Sequence, residues 1–134
     1  MSDNGESTTA VDSPPARSPA DNAQLALLLE VTGTPKPGNV DRHRDLGDLR
    51  FAQFMAGAIG ARSGLRRATT GDAVGPAFER AVAGMAARAD ENTQFGCLLL
   101  LIPLVRAAAD DALTSDGVTE VVTATTVDDA VAFY

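Results

Sequence analysis

Nine consecutive residues without charge or a strongly polar group, Cys97 to Val105, stand out in this sequence of 134 residues. The run is too short to span a bilayer, which takes about 20 apolar residues in a helix. A helix that is apolar on all sides has to be surrounded by other helices to keep its surface away from water. The sequence therefore predicts a buried central helix near residues 93–109.

Amphipathic spacing elsewhere predicts the helices that surround this one. The clearest period follows Asp72, where apolar residues recur at every third or fourth position from Val74 to Ala89. An earlier helix is predicted after Asp21 or Asn22 as its N-cap, and Gly33 is expected to end it. These patterns alternate with loops that contain proline and glycine, which is typical of a helical domain.

Capping signatures predict further helices. Asp45 and Asp48 have the spacing of a capping box, and so do Thr126 and Asp129. Residues 118–125 are rich in β-branched side chains, but their apolar positions have helical spacing, so we expect a helix there as well. The predicted fold class is all-α, a compact multi-helix domain of about six helices.

The two ends of the chain carry separate predictions. Residues 1–20 are rich in Ser, Thr, Pro and Asp and lack periodic apolar residues, so we expect a disordered acidic tail before a helical domain at 21–134. The last helix is expected to turn Val127, Ala130, Val131 and Tyr134 inward where the sequence stops. This pattern predicts a domain truncated at its C-terminus, which forms a homo-oligomer or binds a complementing C-terminal half.

Composition narrows the classes of function. The net charge of −7 and the pI of about 4.5 argue against a nucleic-acid-binding surface, including a helical DNA-binding module. The N-terminal residues do not resemble a signal peptide and no apolar run is long enough for a membrane span, so we expect a cytoplasmic protein. An acidic chain that prefers arginine to lysine suits a halophilic cytoplasm, although a GC-rich genome gives a similar bias. Cys97 is predicted to be a buried core thiol.

The only lysine and the only histidine of the sequence lie together in residues 34–45, where two prolines and a glycine exclude a helix. Lysine and arginine bind phosphate oxygens, helix N-termini offer free N–H groups, and carboxylates hold Mg²⁺. The alternative is an ordinary loop that caps the next helix. The candidate functional residues in this loop are Lys36, Gly38, Asn39, Asp41, Arg42, His43 and Asp45.

A second candidate segment precedes the apolar run. Asn92 and Thr93 are polar residues at the start of the predicted central helix, and Asn92 is expected to be its N-cap. Gly96 is a poor helix former in what would be the first turn. A small residue at this position allows a ligand or another backbone to approach closely. The alternative is a capped helix start with no further role.

The pattern K-P-G-x-V-D at residues 36–41 and the pattern N-T-x-x-G at residues 92–96 together resemble the triphosphoribosyl-dephospho-CoA synthase family in its archaeal form. The resemblance covers about residues 24–134. His43 comes sooner than the histidine of the bacterial members and lacks the glycine that precedes it there. The resemblance implies an all-helical transferase that joins ATP to 3′-dephospho-CoA, releases adenine and makes the precursor of the citrate or malonate lyase prosthetic group.

The resemblance also implies roles for individual residues. Lys36 and Arg42 are expected to bind phosphate, and Asp41 and Asp45 to hold Mg²⁺ or act as the base. His43 is expected to carry a proton. The remaining candidates, Gly38, Asn39, Asn92, Thr93 and Gly96, are expected to bind substrate. The alternative to this enzyme is a catalytically inactive remnant or a non-enzymatic helical protein that binds nucleotides.

Overall fold

The computed structural model describes residues 17–33, 35–71 and 73–133. Within these ranges the chain is all-helical, which confirms the predicted fold class. None of the helices in the described ranges has both the length and the apolar character that crossing a membrane requires. The helices are α1 (Pro19–Thr32), α2 (Phe51–Gly60), α3 (Arg62–Thr70), α4 (Val74–Ala89), α5 (Phe95–Ala109), α6 (Ser115–Thr123) and α7 (Val127–Val131).

The start of α1 lies inside the segment that was predicted to be a tail. Ser18 is the N-cap, because its hydroxyl oxygen accepts a hydrogen bond from the Asp21 N–H at 3.2 Å. Pro19 takes the first helical position, where a missing N–H leaves no backbone hydrogen bond unmade. Asp21 therefore lies in the first turn and is not the cap. The rest of the predicted tail, residues 1–16, lies outside the described residues.

The second predicted helix is present as two helices, which is why seven are found where about six were expected. α2 ends at Gly60 and α3 begins at Arg62 after Ala61. The capping box predicted at Asp45 and Asp48 is wrong. Gly47 has a φ of +59° and turns the chain back, so that Leu46 and Leu49 pair before the helix begins at Phe51.

α2 and α3 pack against α4 with their backbones in contact. Gly60 and Gly84 face each other at the crossing, and a methyl group on either residue would overlap the carbonyl group of the other. The predicted apolar stripe of α4 is confirmed, since Phe78, Ala81 and Met85 are buried there. α4 also contacts α5 and α7, so it is the helix around which the domain is arranged.

The predicted central helix is α5, which contacts α1, α3, α4 and α6. Leu98, Ile102 and Val105 are buried between these helices. The opposite face of α5 is less enclosed than its composition suggested, since Leu100 is 70% exposed. The apolar run therefore covers both a core face and a surface face, and α4 takes the more central position.

The C-terminal segment is helical, but a different face is buried from the one predicted. Val127 and Val131 are 79% and 68% exposed and Ala130 is exposed as well, so the prediction that they face inward is wrong. The chain is held instead by Phe133, whose ring packs edge-on against Phe78 at 4.7 Å, and by the buried Asp129. Tyr134 lies outside the described residues.

Asp129 confirms the predicted capping box and also links α7 to α4. Its carboxylate accepts from the Thr126 N–H at 2.9 Å and from the Gly75 N–H at 2.7 Å. These backbone donors, first Thr126 and then Gly75, hold the pKa of the Asp129 carboxyl below its usual value. A lowered pKa means that the carboxylate stabilises the fold above about pH 4, and that this contribution is lost as the pH falls through the lowered pKa.

We expect the change Asp129→Ala to lower the free energy of unfolding by about 1–3 kcal/mol at pH 7, because two backbone N–H groups lose a charged acceptor. The difference from the unaltered protein should shrink below about pH 4. Urea denaturation followed by circular dichroism at pH 7 and pH 3 measures both effects. Asp128→Ala removes an exposed carboxylate from the same turn and should cost less than about 1 kcal/mol. An equal loss in the two variants would contradict this prediction.

Candidate functional site

The loop between α1 and α2 is built from three consecutive tight turns. In the first, the Lys36 carbonyl accepts a hydrogen bond from the Asn39 N–H at 3.1 Å. Pro37 and Gly38 occupy the central positions, and Gly38 has a φ of +75°, which a type II turn requires and which other residues rarely adopt. The proline and the glycine of the first motif therefore fix the direction in which the chain leaves Lys36.

The second turn is fixed by Asp41, which is only 4% exposed. Its Oδ1 accepts from the His43 N–H at 2.8 Å, and its backbone pairs with that of Arg44. This is an Asx turn, in which the side chain replaces a backbone acceptor. The turn holds the exposed side chains of Arg42 and His43 at its tip.

The third turn leads into α2. Asp45 is exposed, and its Oδ1 accepts from the Phe51 N–H at 2.9 Å, so it satisfies an N–H at the start of the helix from six residues away. Val40 anchors the whole loop, since it is buried against Val31 of α1 and Phe54 of α2. The loop is thus a packed structure with its own apolar contact to the domain.

Lys36 leaves this loop in the direction of α1. Its Nζ donates to the Glu30 carbonyl oxygen at 3.1 Å and forms an ion pair with the Glu30 carboxylate. A cation near the last turn of a helix is also favoured by the helix dipole. The lysine that was predicted to bind phosphate is therefore tied to the end of α1 and is still about one third exposed.

The second motif, residues 92–96, spans the start of α5, since Asn92, Thr93 and Gln94 precede the helix and the motif ends at Gly96 in its first turn. Gln94 occupies the N-cap position, so the prediction that Asn92 is the cap is wrong. Asn92 is exposed, while Gln94 is 4% exposed and points into the domain. The Gln94 amide Nε2 donates to the Leu27 carbonyl at 2.8 Å and to Glu30 Oε2 at 3.2 Å.

The two motifs therefore meet at Glu30, which belongs to neither of them. One carboxylate oxygen of Glu30 pairs with Lys36 of the first motif, and the other accepts from Gln94 of the second. Neither Glu30 nor Gln94 was among the functional residues predicted from the sequence. The available signals were a charged residue near the end of an apolar helix and an amide inside the N-T-x-x-G pattern, and both patterns are common.

Two polar atoms of the second motif are buried and make no hydrogen bond to any of the described residues, namely Thr93 Oγ1 and Gln94 Oε1. The Thr93 side chain packs against Gly57 of α2, where an added methyl group would come within 2.6 Å of Oγ1. Buried polar groups in proteins are usually satisfied, so these two atoms are candidates for contact with a water molecule or a ligand.

A family model described as ATP:dephospho-CoA triphosphoribosyl transferase matches residues 16–134. The chain belongs to this family. Both motifs lie inside the matched range, so the resemblance drawn from them is confirmed. No curated protein and no solved structure was found to match the sequence.

The structure brings together only part of the set of residues that the family resemblance suggested. Lys36 and the second motif are joined through Glu30. Arg42, His43 and Asp45 are exposed on the second and third turns, and no hydrogen bond among the described residues connects them to residues 92–96. How these exposed residues act toward a ligand remains a prediction.

The carboxylates of the loop give limited support for a metal site. Within the described ranges there is no group of three or more His, Cys, Asp or Glu residues placed to hold a metal ion. Asp41 is buried and uses Oδ1 inside its own turn, so it is a poor ligand in this conformation. Asp45 is exposed and fits Mg²⁺ better, because this ion is often held by one or two carboxylates together with substrate phosphates.

Cys97 lies in the first turn of α5 and packs against the core as predicted, although its side chain is only partly buried. Burial, and after it the negative charge of Glu30, raises the pKa of this thiol, while Lys36 acts in the opposite direction. A raised pKa keeps Cys97 protonated at neutral pH.

Gly96 has open space in front of it. A methyl group at this position would meet no atom of the described residues within 4 Å, and its φ is not in the left-handed region. Packing and backbone geometry therefore do not require glycine here. The exposed start of α5 beside Gln94 leaves room for a ligand to reach the backbone.

We expect Gly96→Ala to keep the fold and to raise the free energy of unfolding by up to about 1 kcal/mol, since alanine favours a helix over glycine. Gly84→Ala is the matched comparison, because its methyl group would overlap the Gly60 carbonyl group and should destabilise the domain by about 1–3 kcal/mol or more. Thermal unfolding of both variants measures the difference. A large loss of stability in Gly96→Ala would show that the space at this position is not open.

Proposed function

We propose that this protein transfers the triphosphoribosyl group of ATP to 3′-dephospho-CoA and releases adenine. Membership of the family supports the class of reaction. The observation that carries the proposal to this chain is the joining of the two motifs at Glu30, although they lie far apart in the sequence. A site assembled in this way places a cation, an amide and an open helix start side by side.

The proposed reaction is a substitution at the anomeric carbon of the ATP ribose. The bond between that carbon and the adenine nitrogen breaks, and a hydroxyl oxygen of dephospho-CoA forms the new bond. The hydroxyl group gives up its proton and the leaving adenine takes one up. Catalysis therefore requires a base near the hydroxyl group, an acid near adenine, and cations that hold the triphosphate.

We assign phosphate binding to Lys36 and Arg42. Lys36 is partly exposed with its position fixed, and Arg42 projects from the tip of the second turn. An arginine side chain can bind two phosphate oxygens at once, whereas the lysine supplies a point charge. Gly38 and Asn39 shape the turn beside Lys36, so their proposed effect on substrate binding is indirect.

We propose that the acid–base roles fall on exposed groups. His43 is exposed next to Arg42 and remains the proposed proton carrier. Asp41 is a weaker choice for the base than Asp45, because its carboxylate is buried and already accepts the His43 N–H. Asn92 and Thr93 are proposed to hydrogen-bond the substrate, and the unpartnered Thr93 Oγ1 supports this assignment.

Mg²⁺ is proposed to arrive with ATP. The loop offers two exposed carboxylates, Asp45 and Asp48, and the described residues contain no group of three ligands, so phosphate oxygens and water would supply most of the ligands of the ion. The ion would neutralise part of the triphosphate charge and make it easier to hold beside Lys36 and Arg42.

A second candidate function is nucleotide binding without turnover. The Glu30–Lys36 ion pair favours it, because a lysine that is already paired at the end of α1 also has a structural use. Calorimetric titration with ATP and Mg²⁺, together with an assay of adenine release, separates the two functions. Heat of binding without adenine release from ATP and dephospho-CoA would support the second one.

The proposal predicts that Lys36→Ala lowers kcat/KM for ATP in the adenine-release assay by about 10- to 100-fold, the effect of losing one charged hydrogen bond. Asn92→Ala and the stable Gly96→Ala variant should also lower it. Arg44→Ala is the matched control, since it removes a cation from the same loop while its backbone turn is kept. The assay is run at low and at molar salt.

Two outcomes would contradict the proposal in different ways. If the unaltered protein neither releases adenine nor binds ATP with Mg²⁺ at either salt concentration, the proposed function is wrong. If it is active, and Lys36→Ala, Asn92→Ala and Gly96→Ala all retain the full rate, then the reaction stands but these residues do not form its site.

A further inference from the structure

Glu30 occupies the position in the fold where the two family motifs can be linked by a single side chain. It lies in the last turn of α1, directly before the loop that carries Lys36. Its carboxylate accepts from Lys36 Nζ at Oε1 and from Gln94 Nε2 at Oε2. Both oxygens of one carboxylate are therefore used, one for each motif.

The partners of Glu30 are held by further contacts. Lys36 Nζ also donates to the Glu30 backbone carbonyl at 3.1 Å, and Gln94 Nε2 donates to the Leu27 carbonyl at 2.8 Å. The Gln94 backbone N–H faces the Met85 sulfur at 3.4 Å, so Gln94 has a contact at its backbone as well as at its side-chain amide. A flexible lysine side chain is thereby linked to a buried side chain that has further contacts of its own.

We propose that Glu30 is a positioning residue that couples Lys36 to Gln94, so that the ammonium group meets a substrate phosphate from a fixed place beside the start of α5. The identity of that phosphate as the triphosphate of ATP rests on the proposed function. The coupling itself rests only on the contacts of Glu30. A lysine that is already ordered loses less side-chain entropy when it binds.

A carboxylate is required for this role because both neighbours are donors. Glutamine has nearly the same shape, but it offers one oxygen and one NH₂ group. In Glu30→Gln the NH₂ group would face either the Lys36 ammonium or the Gln94 amide, and one of the two links would be lost. This variant therefore separates the motifs while it leaves the packing of α1 almost unchanged.

The opposite role for Glu30 is also physically reasonable and predicts the opposite sign. A carboxylate beside Lys36 repels an incoming phosphate, and removing its charge would tighten phosphate binding if Glu30 acted mainly as a competitor. If positioning dominates, the same change weakens binding by the entropy needed to order the lysine. The direction of the change therefore distinguishes the two roles.

The first test uses the fact that Lys36 is the only lysine of the chain. Its rate of labelling by an amine-reactive reagent, read by mass spectrometry separately from the α-amino group, reports on its ammonium group alone. We expect Glu30→Gln to raise this rate about threefold or more, because the ammonium group loses its carboxylate partner. Asp21→Asn is the matched control, since it removes an ion pair with Arg62 at the other end of α1. It should leave the labelling rate unchanged.

The second test is calorimetric titration with inorganic triphosphate and Mg²⁺. We expect Glu30→Gln to bind about 2- to 10-fold more weakly than the unaltered protein, which is the effect of freeing one long side chain. The double variant Glu30→Gln with Lys36→Ala should bind as Lys36→Ala does, because Glu30 acts through Lys36. A purely structural effect of Glu30 would instead add to that of Lys36→Ala.

The proposal is overturned by unchanged labelling in Glu30→Gln, by tighter triphosphate binding in that variant, by additive effects in the double variant, or by the absence of triphosphate binding in the unaltered protein. Failure of the transferase assay alone would contradict the proposed reaction but not the coupling by Glu30. In that case altered labelling and weakened triphosphate binding would still support the coupling by Glu30, while the proposed reaction would be wrong.

Discussion

The contact between Gly60 and Gly84 determines how the rest of this domain is arranged. Because neither residue has a side chain, α2 can lie directly on the backbone of α4, and Gly64 allows α3 to do the same. The same close approach brings Gly57 of α2 against Thr93. The end of α4 contacts the start of α5, where the Met85 sulfur faces the Gln94 N–H. The second motif is therefore placed by helix packing. The sequence of the second motif determines only which polar groups lie at that place.

The first motif reaches its position by a different route. Its three turns are defined locally, by Gly38 and by the carboxylates of Asp41 and Asp45, and Val40 then fastens the loop to Val31 and Phe54. Two segments that are ordered independently need a contact that sets one relative to the other. Glu30 can provide it because the last turn of α1 borders both the loop and Gln94.

The fold was predictable where a single period decided the outcome. The stripe of α4 and the capping box of α7 follow from neighbouring residues, and both predictions are confirmed. Asp45 was assigned to the wrong position because its carboxylate caps Phe51 across an intervening turn, which local spacing does not reveal. Val127 and Val131 were assigned inward because the sequence does not show that Asp129 is drawn in by a backbone N–H of α4.

In the candidate site too, features that depend on neighbouring residues were predictable, whereas features that depend on contacts between distant segments were not. Lys36 and Asn92-Thr93 could be proposed from the sequence because their motifs are local patterns, and family membership supports the motifs as a pair. Glu30 and Gln94 were missed because their importance arises only from contacts between segments that are distant in the sequence. A charged residue near the end of an amphipathic helix is usually a solvated residue, so no sequence pattern distinguishes Glu30 from others of its kind.

The Glu30–Lys36 pair also limits how a polyphosphate can be held at this site. A lysine neutralised by a neighbouring carboxylate adds little net attraction for an anion, so its contribution is mainly geometric. Under the proposed function the net positive charge has to come from elsewhere, and the exposed Arg42 at the second turn can supply it. Exposed charges attract a ligand over a distance that salt shortens, whereas the partly buried pair is screened less. If the protein binds a polyphosphate as proposed, attraction and placement of the phosphates therefore fall to different side chains of the same loop.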